Sequence, residues 1–117
     1  MVYFRLNAAG IVTSPNYPKN YPHKLLKNYR IEVEQGLQLI IQFTYFKTEG
    51  HASCLYDHLN ITDGDGTTLM GKTCGSPASL PANVTSRSNV INLVFKTDGS
   101  GTANGWRVRW NAVRAGM

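Results

Sequence analysis

The 117-residue sequence predicts an all-β protein folded as a two-sheet antiparallel sandwich. Three observations support this fold class. Apolar and polar residues alternate in about seven short segments, and this is the period of half-buried strands. The segments recur at a spacing of roughly ten residues, which is typical of sandwiches. Clusters of Gly, Pro, Asn and Asp separate them, and helical periodicity is almost absent.

The first half of the chain contains the strongest strand pattern. A short strand starts at residue 11, and the prolines within 15–22 then prevent regular pairing. Residues 29–34 alternate cleanly, and a turn leads into a longer strand over 37–46. The face of this longer strand that is predicted to be buried consists of Leu37, Leu39, Ile41, Phe43 and Tyr45.

The second half repeats the alternation. Strands are predicted, in order, over 57–62, 69–74, 89–97 and 106–113. The sequence Asp-Gly-Asp-Gly at 63–66 predicts a turn between the first two of them, and 75–88 is predicted to be a polar loop. His58 and Asn60 are predicted to face outward, because Leu59 between them belongs to the apolar face.

The formal net charge is +5 and the pI is about 9.4. The basic residues are scattered, and no recognition helix is predicted that could gather them, so nucleic acid is excluded as a partner. No apolar run is long enough for a transmembrane helix, and membrane insertion is not expected. The start of the chain lacks the pattern of a secretory leader. An initiator Met directly before domain-like sequence suggests a single domain, 1–117, excised from a longer protein.

Two cysteines and two glycosylation motifs point to an extracellular protein. Cys54 and Cys74 enclose a loop of about twenty residues, and a disulfide between them would stabilise the fold by roughly 3 kcal/mol. Asn60 and Asn83 each begin an Asn-x-Thr motif. Either motif alone is at chance level, but both together with a disulfide favour a secreted protein or the ectodomain of a surface protein.

Three carboxylates are candidates for a calcium site. Glu49, Asp57 and Asp98 each lie at a strand end or in a loop. If these ends meet at one edge of the sandwich, the side chains supply the hard oxygen ligands that calcium prefers. Tyr17, in the proline-rich segment, is a candidate hydrogen-bond donor to one of them. From spacing alone an alternative stays open, namely three unrelated solvated acids and a tyrosine packed at a sheet edge.

Other motifs are interpreted as structural. His51, Cys54 and His58 have the composition of a zinc or copper site, but Cys74 offers Cys54 a disulfide partner and both histidines are expected at the surface. The Asp-Gly-Asp-Gly turn lacks the closing Glu and the flanking helices of an EF-hand. No Ser-His-Asp set, nucleophile elbow or phosphate-binding loop is recognisable. The sequence therefore predicts no catalytic residue in this domain, and a protease domain elsewhere in a longer parent protein is compatible with this.

From Gly10 to about Trp110 the sequence resembles the CUB domain of extracellular modular proteins. The matching pieces are Gly-Ile-Val-Thr-Ser-Pro-Asn-Tyr-Pro-Lys-Asn-Tyr-Pro at 10–22, Tyr-Arg-Ile-Glu-Val at 29–33, Phe-x-x-Glu at 46–49, Cys-Leu-Tyr-Asp-His-Leu-x-Ile at 54–61, Gly-Lys-Thr-Cys-Gly at 71–75, Ser-x-Ser-Asn-Val-Ile at 86–91, and Phe-Lys-Thr-Asp-Gly-Ser through Gly-Trp at 95–106. The resemblance implies a jelly-roll-like β-sandwich, and the pair Cys54–Cys74 matches the second disulfide of the family.

The chain departs from the family pattern at the first of its two usual disulfides. Lys27 stands where the second cysteine is normally found, Tyr29 replaces a tryptophan, and no cysteine lies near the amino terminus. The same absence is typical of the first CUB domain of the complement initiating proteases.

The resemblance also implies a calcium site, because a large subset of CUB domains binds this ion. The matching positions here are Glu49, Asp57, Asp98, the backbone carbonyl of Ser100 and, as the supporting tyrosine, Tyr17. The residue after the serine is often an Asn that adds an oxygen ligand. Here it is Gly101, so the resemblance leaves the affinity of the site open.

By resemblance, the calcium orders loops and leaves an acidic group to pair with a Lys or Arg of a protein partner. The predicted function is therefore a non-catalytic, calcium-dependent protein-binding module of a secreted or cell-surface protein. The alternative is a calcium-independent spacer, or a module that binds anionic glycans through Arg107, Arg109 and nearby lysines. Binding of the second kind would be lost in moderate salt and would not depend on calcium.

Overall fold

The computed structural model describes residues 8–77 and 80–114, which form eight strands in two four-stranded antiparallel sheets. The strands are β1 (Ala9–Thr13), β2 (Leu26–Glu32), β3 (Leu37–Lys47), β4 (His58–Asp63), β5 (Thr68–Thr73), β6 (Val84–Thr85), β7 (Val90–Lys96) and β8 (Gly105–Arg114). The predicted all-β sandwich is confirmed. No helix in the described part of the chain is long and apolar enough to cross a membrane. The predicted domain bounds, 1 and 117, lie outside the described residues.

Strand order explains which loops meet. One sheet has the order β1-β8-β3-β6 and the other β2-β7-β4-β5. Lys47 at the end of β3 pairs with Gly105 at the start of β8, and Lys96 at the end of β7 pairs with His58 at the start of β4. The segments that follow β3 and β7 and precede β4 and β8 therefore emerge at the same end of the sandwich.

The two ends of the described chain lie at the opposite end of the sandwich. Ala9, the first residue of β1, pairs with Asn111 near the end of β8. Since β8 starts beside the loops described above, its last residues and the beginning of β1 are far from those loops. The molecule is elongated, with extents of 41 × 24 × 24 Å.

Aromatic rings connect the two sheets across the core. Trp106 on β8 is fully buried and meets Phe95 on β7 edge to face, with ring centroids 5.7 Å apart. Tyr29 on β2 contacts the same indole at 5.2 Å. Complete burial of a side chain such as Phe95 stabilises the fold by about 1.5–3 kcal/mol. These contacts fix the separation of the sheets, and with it the relative position of the loops at their ends.

Two local features differ from the prediction. A bulge lies between Phe43 and Tyr45, so Phe46 is buried while the Tyr45 side chain is turned out of the core and its hydroxyl contacts Asn104. The loop predicted over 75–88 contains the two-residue strand β6, which pairs with the middle of β3. A strand of two residues is too short to show an alternation of apolar and polar residues. A bulge adds one residue to a strand, so the side chains beyond it point to the opposite faces from those that the alternation predicts.

The predicted turn at 63–66 is confirmed, and its first residue has a structural role. Asp63 is 1% exposed and accepts hydrogen bonds from the Gly64 N–H, the Arg87 N–H and the Ser88 hydroxyl, at 2.7, 2.7 and 2.5 Å. Burial by itself would raise the pKa of Asp63, but these donors outweigh it and the pKa is lowered. The ionised carboxylate thus joins the β4–β5 turn to the segment before β7.

We expect Asp63→Ala to lower the free energy of unfolding by about 2–4 kcal/mol, because it leaves buried donors without an acceptor. Urea denaturation measures this change. Asp65→Ala is the matched control: Asp65 lies in the same turn but is exposed, and its side chain accepts a hydrogen bond from the Thr67 N–H. Equal losses in the two variants would contradict the structural role of Asp63.

Candidate metal centre

Three carboxylates converge at the end of the sandwich where β3 and β7 finish. Glu49 follows β3, Asp57 directly precedes β4, and Asp98 follows β7. One carboxylate oxygen of each residue lies within 4.8 Å of one oxygen of each of the other two. These three residues are called the acidic cluster below. The chain reaches this arrangement because antiparallel pairing brings the ends of β3 and β7 and the start of β4 to one end.

Asp57 is the centre of the cluster and is fully buried. Its Oδ2 accepts a 2.5 Å hydrogen bond from the Tyr21 hydroxyl, and its Oδ1 accepts a 2.8 Å bond from the Asp98 N–H. Burial raises the pKa of Asp57. The two hydrogen bonds act in the opposite direction, and the negative charge of Asp98 adds to the rise. The folded domain therefore holds the Asp57 carboxylate in a fixed orientation.

The tyrosine that donates a hydrogen bond to Asp57 is Tyr21, whereas the sequence suggested Tyr17 as a donor to one of the carboxylates. Tyr21 is 3% exposed, and its ring lies against Phe95 with centroids 5.0 Å apart. The Tyr17 ring instead packs on Tyr45. Burial, and then the hydrogen bond to Asp57, raise the pKa of Tyr21, so its hydroxyl remains a donor.

Backbone hydrogen bonds lock the segment that carries Tyr21 onto the β7–β8 connection. The Tyr21 N–H donates to the Ala103 carbonyl, and the Thr102 hydroxyl donates to the Tyr21 carbonyl. The Lys24 N–H donates to the Asp98 carbonyl at 2.8 Å. Both tyrosines occur in the sequence Asn-Tyr-Pro, and they differ in their distance from β2. The sequence pattern alone does not show which of them reaches Asp57.

Glu49 closes the cluster from the β3 side. Its N–H donates to the Tyr21 hydroxyl at 3.0 Å, so one phenol links Glu49 and Asp57. The Glu49 Oε1 atom is buried and has no hydrogen-bond partner. Burial, followed by the charges of Asp98 and Asp57, raises the pKa of Glu49. An unsatisfied buried oxygen among acidic groups is the arrangement that a hard cation would relieve.

The loop after β7 contributes Asp98 and the predicted Ser100 position. The Ser100 N–H donates to Asp98 Oδ1 at 3.2 Å, which turns this carboxylate along the loop. Gly101 follows with φ +76°, a left-handed conformation that favours glycine. The role of the Ser100 carbonyl as a ligand stays a prediction.

The predicted disulfide between Cys54 and Cys74 is present and ties the loop between β3 and β4 to the end of β5. Two further hydrogen bonds support this connection. The Thr48 N–H donates to the Gly75 carbonyl, and the Gly75 N–H donates to the Thr48 hydroxyl, both at 2.9 Å. The segment that carries Glu49 and Asp57 is thus fixed at three points outside the carboxylates themselves.

Two members of the alternative transition-metal set, Cys54 and His51, make other contacts in the described chain. Cys54 is bound in the disulfide, and His51 Nδ1 accepts hydrogen bonds from the Ser53 and Leu55 N–H groups, so it orders its own loop. His58 was expected at the surface but is only 6% exposed. Burial, followed by the charge of Lys72, lowers the pKa of His58.

The remaining candidates lie away from the cluster. Asn60 is half-buried on β4, and Asn83 is exposed just before β6; glycosylation of either stays a prediction. Arg109 on β8 is exposed, and Arg107 is half-buried and donates to the Thr44 hydroxyl at 2.9 Å.

Comparison with known proteins identifies the family. The model of the CUB domain matches residues 4–110, and the chain belongs to this family. It is 34% identical to pig cubilin over 109 residues, which are 92% of this chain and 3% of cubilin. It is also 34% identical to rat mannan-binding lectin serine protease 1, covering 89% of this chain and 15% of the protease. The chain thus spans a small part of the curated relatives it matches.

Solved structures agree with the fold. The CUB2 domain of MASP-1 bound to Ca²⁺ is 32% identical, with a TM-score of 0.78, and the match covers 91% of this chain and 95% of that domain. The full extracellular region of zebrafish Gpr126/Adgrg6 is 28% identical, with a TM-score of 0.83, and covers 97% of this chain and 15% of the other.

Glu49→Gln should raise the melting temperature of the domain in chelator at neutral pH. Because the fold raises the pKa of Glu49 above its usual 4.5, the ionised form is less favourable in the folded than in the unfolded state. The stability linked to this group is complete below pH 4.5 and is lost as the pH rises through the folded value. In chelator at pH 7.5 the variant should therefore melt at a higher temperature than the wild type.

Thermal melting from pH 4 to 8 in chelator measures this effect, and the difference between variant and wild type should shrink toward acid pH. Glu34→Gln is the control, because Glu34 is exposed and lies outside the cluster. A lower melting temperature for Glu49→Gln in chelator at pH 7.5 would mean that the fold stabilises the charge of Glu49.

Proposed function

We propose that this chain is a non-catalytic, calcium-dependent protein-binding module of a secreted or cell-surface protein. The observation that carries the proposal is the cluster of Glu49, Asp57 and Asp98, with carboxylate oxygens within 4.8 Å of one another and Glu49 Oε1 buried without a partner. The 32% identical CUB domain bound to Ca²⁺ supports the choice of ion.

The donor set fits calcium better than a softer metal. All three side chains offer oxygen, and no thiolate is available because both cysteines are in the disulfide. Calcium accepts six to eight oxygen ligands in flexible geometry, so carbonyls such as that of Ser100 and water molecules would complete the shell. The bound ion would supply the positive charge that the buried Asp57 lacks and would hold the surrounding loops together.

The partner is proposed to offer a Lys or Arg side chain. Asp98 and Glu49 are half-buried, so they reach the surface at the end of the sandwich where the loops emerge. A carboxylate held in place by calcium makes a directional, charge-assisted hydrogen bond to a cationic group. The net charge of +5 belongs to the whole domain and is compatible with a locally acidic site.

Calcium should raise the melting temperature of the domain. At a concentration one hundred times the dissociation constant, an ion that binds only the folded state adds about 2.7 kcal/mol, which is several degrees or more for a domain of this size. Differential scanning calorimetry in about 10 mM calcium, one hundred times a dissociation constant of about 0.1 mM at the tighter end of the range for extracellular sites, and in chelator measures the shift.

Asp98→Ala should abolish this shift, and Asp65→Ala, an exposed acid in the β4–β5 turn, should retain it. The same shift in both variants would mean that calcium acts elsewhere. No shift in the wild type would overturn the calcium site.

A lysine analogue should bind at the cluster when calcium is present. Titration of the ¹⁵N-labelled domain with Nα-acetyl-lysine amide should shift the amide signals of 49–57 and 98–101 in calcium and leave them unchanged in chelator. Nα-acetyl-norleucine amide has nearly the same shape without the charge and should produce no shift. Equal shifts with the two compounds would overturn the basic-residue partner.

A second candidate function is the calcium-independent binding of anionic glycans, or a spacer role. The observation in its favour is that Arg107 and Arg109 both project from the outward face of β8. The hydrogen bond of Arg107 to Thr44 reduces its availability, so Arg109 would be the main contact. This function requires retention on heparin in chelator, elution in moderate salt and loss of retention in Arg109→Ala.

We also propose that residues 1–117 are one domain of a longer extracellular protein. The small share of cubilin and of the serine protease that the chain spans supports this organisation. The activity of any such parent protein, including a protease domain, belongs to other segments.

A further inference from the structure

An apolar groove of about 490 Å³ lies on the side of the sandwich, and no residue of the acidic cluster lines it. One wall contains Leu69 and Met70 of β5, and the other is the connection from β5 to β6, with Leu80 and Pro81. Because β5 and β6 are edge strands of different sheets, the groove lies between the edges of the two sheets. Its volume is within the range of about 300–1,000 Å³ that is typical of sites for small organic groups.

The lining of the groove is uncharged and partly open to solvent. Leu80 is 44% exposed, and Leu69 and Met70 are half-buried against the core. None of the described residues that line the groove carries a charge, and the Thr73 hydroxyl and the Asn83 amide are its polar side-chain groups. Exposed apolar surface of this kind marks a place where a protein receives another group. The lining thus favours a neutral occupant with an apolar face.

Asn83 lines the groove and begins one of the two Asn-x-Thr motifs. Val84 is 7% exposed, whereas Asn83 and Thr85 on either side of it are exposed. Because side chains alternate across an extended chain, the amide and the hydroxyl of this motif project to the same side. Asn60, which begins the other motif, is half-buried on β4 between two neighbouring strands and does not line the groove.

We propose that Asn83 carries an N-linked glycan and that its first N-acetylglucosamine packs into the groove. The Asn83 Nδ2 atom forms a bond to C1 of this sugar, and the bond from C1 to the diphosphate of a lipid-linked oligosaccharide breaks. Nδ2 loses one proton, and the lipid diphosphate leaves. The sugar is neutral, and its ring C–H groups and acetyl methyl group offer apolar surface to Leu80 and Met70.

Covalent attachment explains how a sugar with little affinity of its own can fill the groove. A tethered group is present at a high effective concentration, so a weak contact is sufficient to hold it. The inference rests on the extracellular location proposed above, because N-glycans are added to proteins of the secretory route. It does not depend on calcium binding.

Occupancy of the motif is the first test. The domain is secreted from cultured animal cells behind an added leader peptide, and the peptide that contains Asn83 is analysed by mass spectrometry. A glycan is expected at Asn83, and Thr85→Ala should remove it because the motif then lacks its hydroxyl residue. An unmodified Asn83 in the secreted wild type would overturn the inference, whatever the result with calcium.

The second test measures whether the sugar lies in the groove, in an Asn60→Gln background that leaves one motif. An endoglycosidase trims the glycan to a single N-acetylglucosamine, and this form is compared with unglycosylated Asn83→Gln by thermal melting. The trimmed form should melt several degrees higher, which is the size of shift expected for one added apolar contact in a domain of this size. In NMR spectra the acetyl methyl group should give nuclear Overhauser cross-peaks to the methyl groups of Leu80 and Met70.

Leu80→Ser separates packing in the groove from a general effect of the sugar on the chain. It removes an apolar side chain from one wall, so the shift in melting temperature on glycosylation should fall by more than half. Ile11→Ser is the matched control, because Ile11 is 55% exposed on β1 and does not line the groove. The shift should be retained in this control.

The outcomes separate this inference from the calcium function. Absence of the cross-peaks, or an equal shift in the wild type and Leu80→Ser, would mean that the sugar lies in solvent, and the packing would be overturned in favour of another occupant such as a peptide. A trimmed domain that shows the cross-peaks but gains no stability from calcium would overturn the calcium function alone.

Discussion

The buried carboxylate of Asp57 is the constraint on which this end of the molecule depends. Removing an ionised group from water is unfavourable by several kcal/mol unless charges or hydrogen bonds compensate. Among the described residues no basic side chain forms an ion pair with Asp57; the Tyr21 hydroxyl and the Asp98 N–H are its donors. Each of those donors is held by further hydrogen bonds, so the β1–β2 connection and the loop after β7 are both organised around one side chain.

The strands could be predicted from the sequence because burial on one face leaves a period of two, and this period is strong in β3, β4, β7 and β8. The predicted strand ends identified Glu49, Asp57 and Asp98 as candidates for one site. Only the pairing of the strands in the folded structure brings their oxygens together. Tyr21 was missed because Tyr17 occurs in the same Asn-Tyr-Pro context. Which copy reaches Asp57 depends on long-range hydrogen bonds that leave no local pattern.

The site combines stiffness and electrostatic strain. The disulfide and the hydrogen bonds between Thr48 and Gly75 hold the loop between β3 and β4 in place, in addition to the hydrogen bonds that Asp57 accepts. Burial, and then the negative charges of the neighbouring acids, raise the pKa values of Glu49 and Asp57 in the folded domain. Preorganisation of this kind makes a cation site selective for an ion that neutralises the repulsion, since little reorganisation is needed on binding.

The pairing of β1 with β8 has a consequence for longer polypeptides. Because Ala9 lies beside Asn111, chain segments that continue beyond either terminal strand leave from the same pole, and the acidic cluster lies at the opposite pole of a body 41 Å long. In a string of domains joined at that pole, each unit would project sideways with its acidic tip outward.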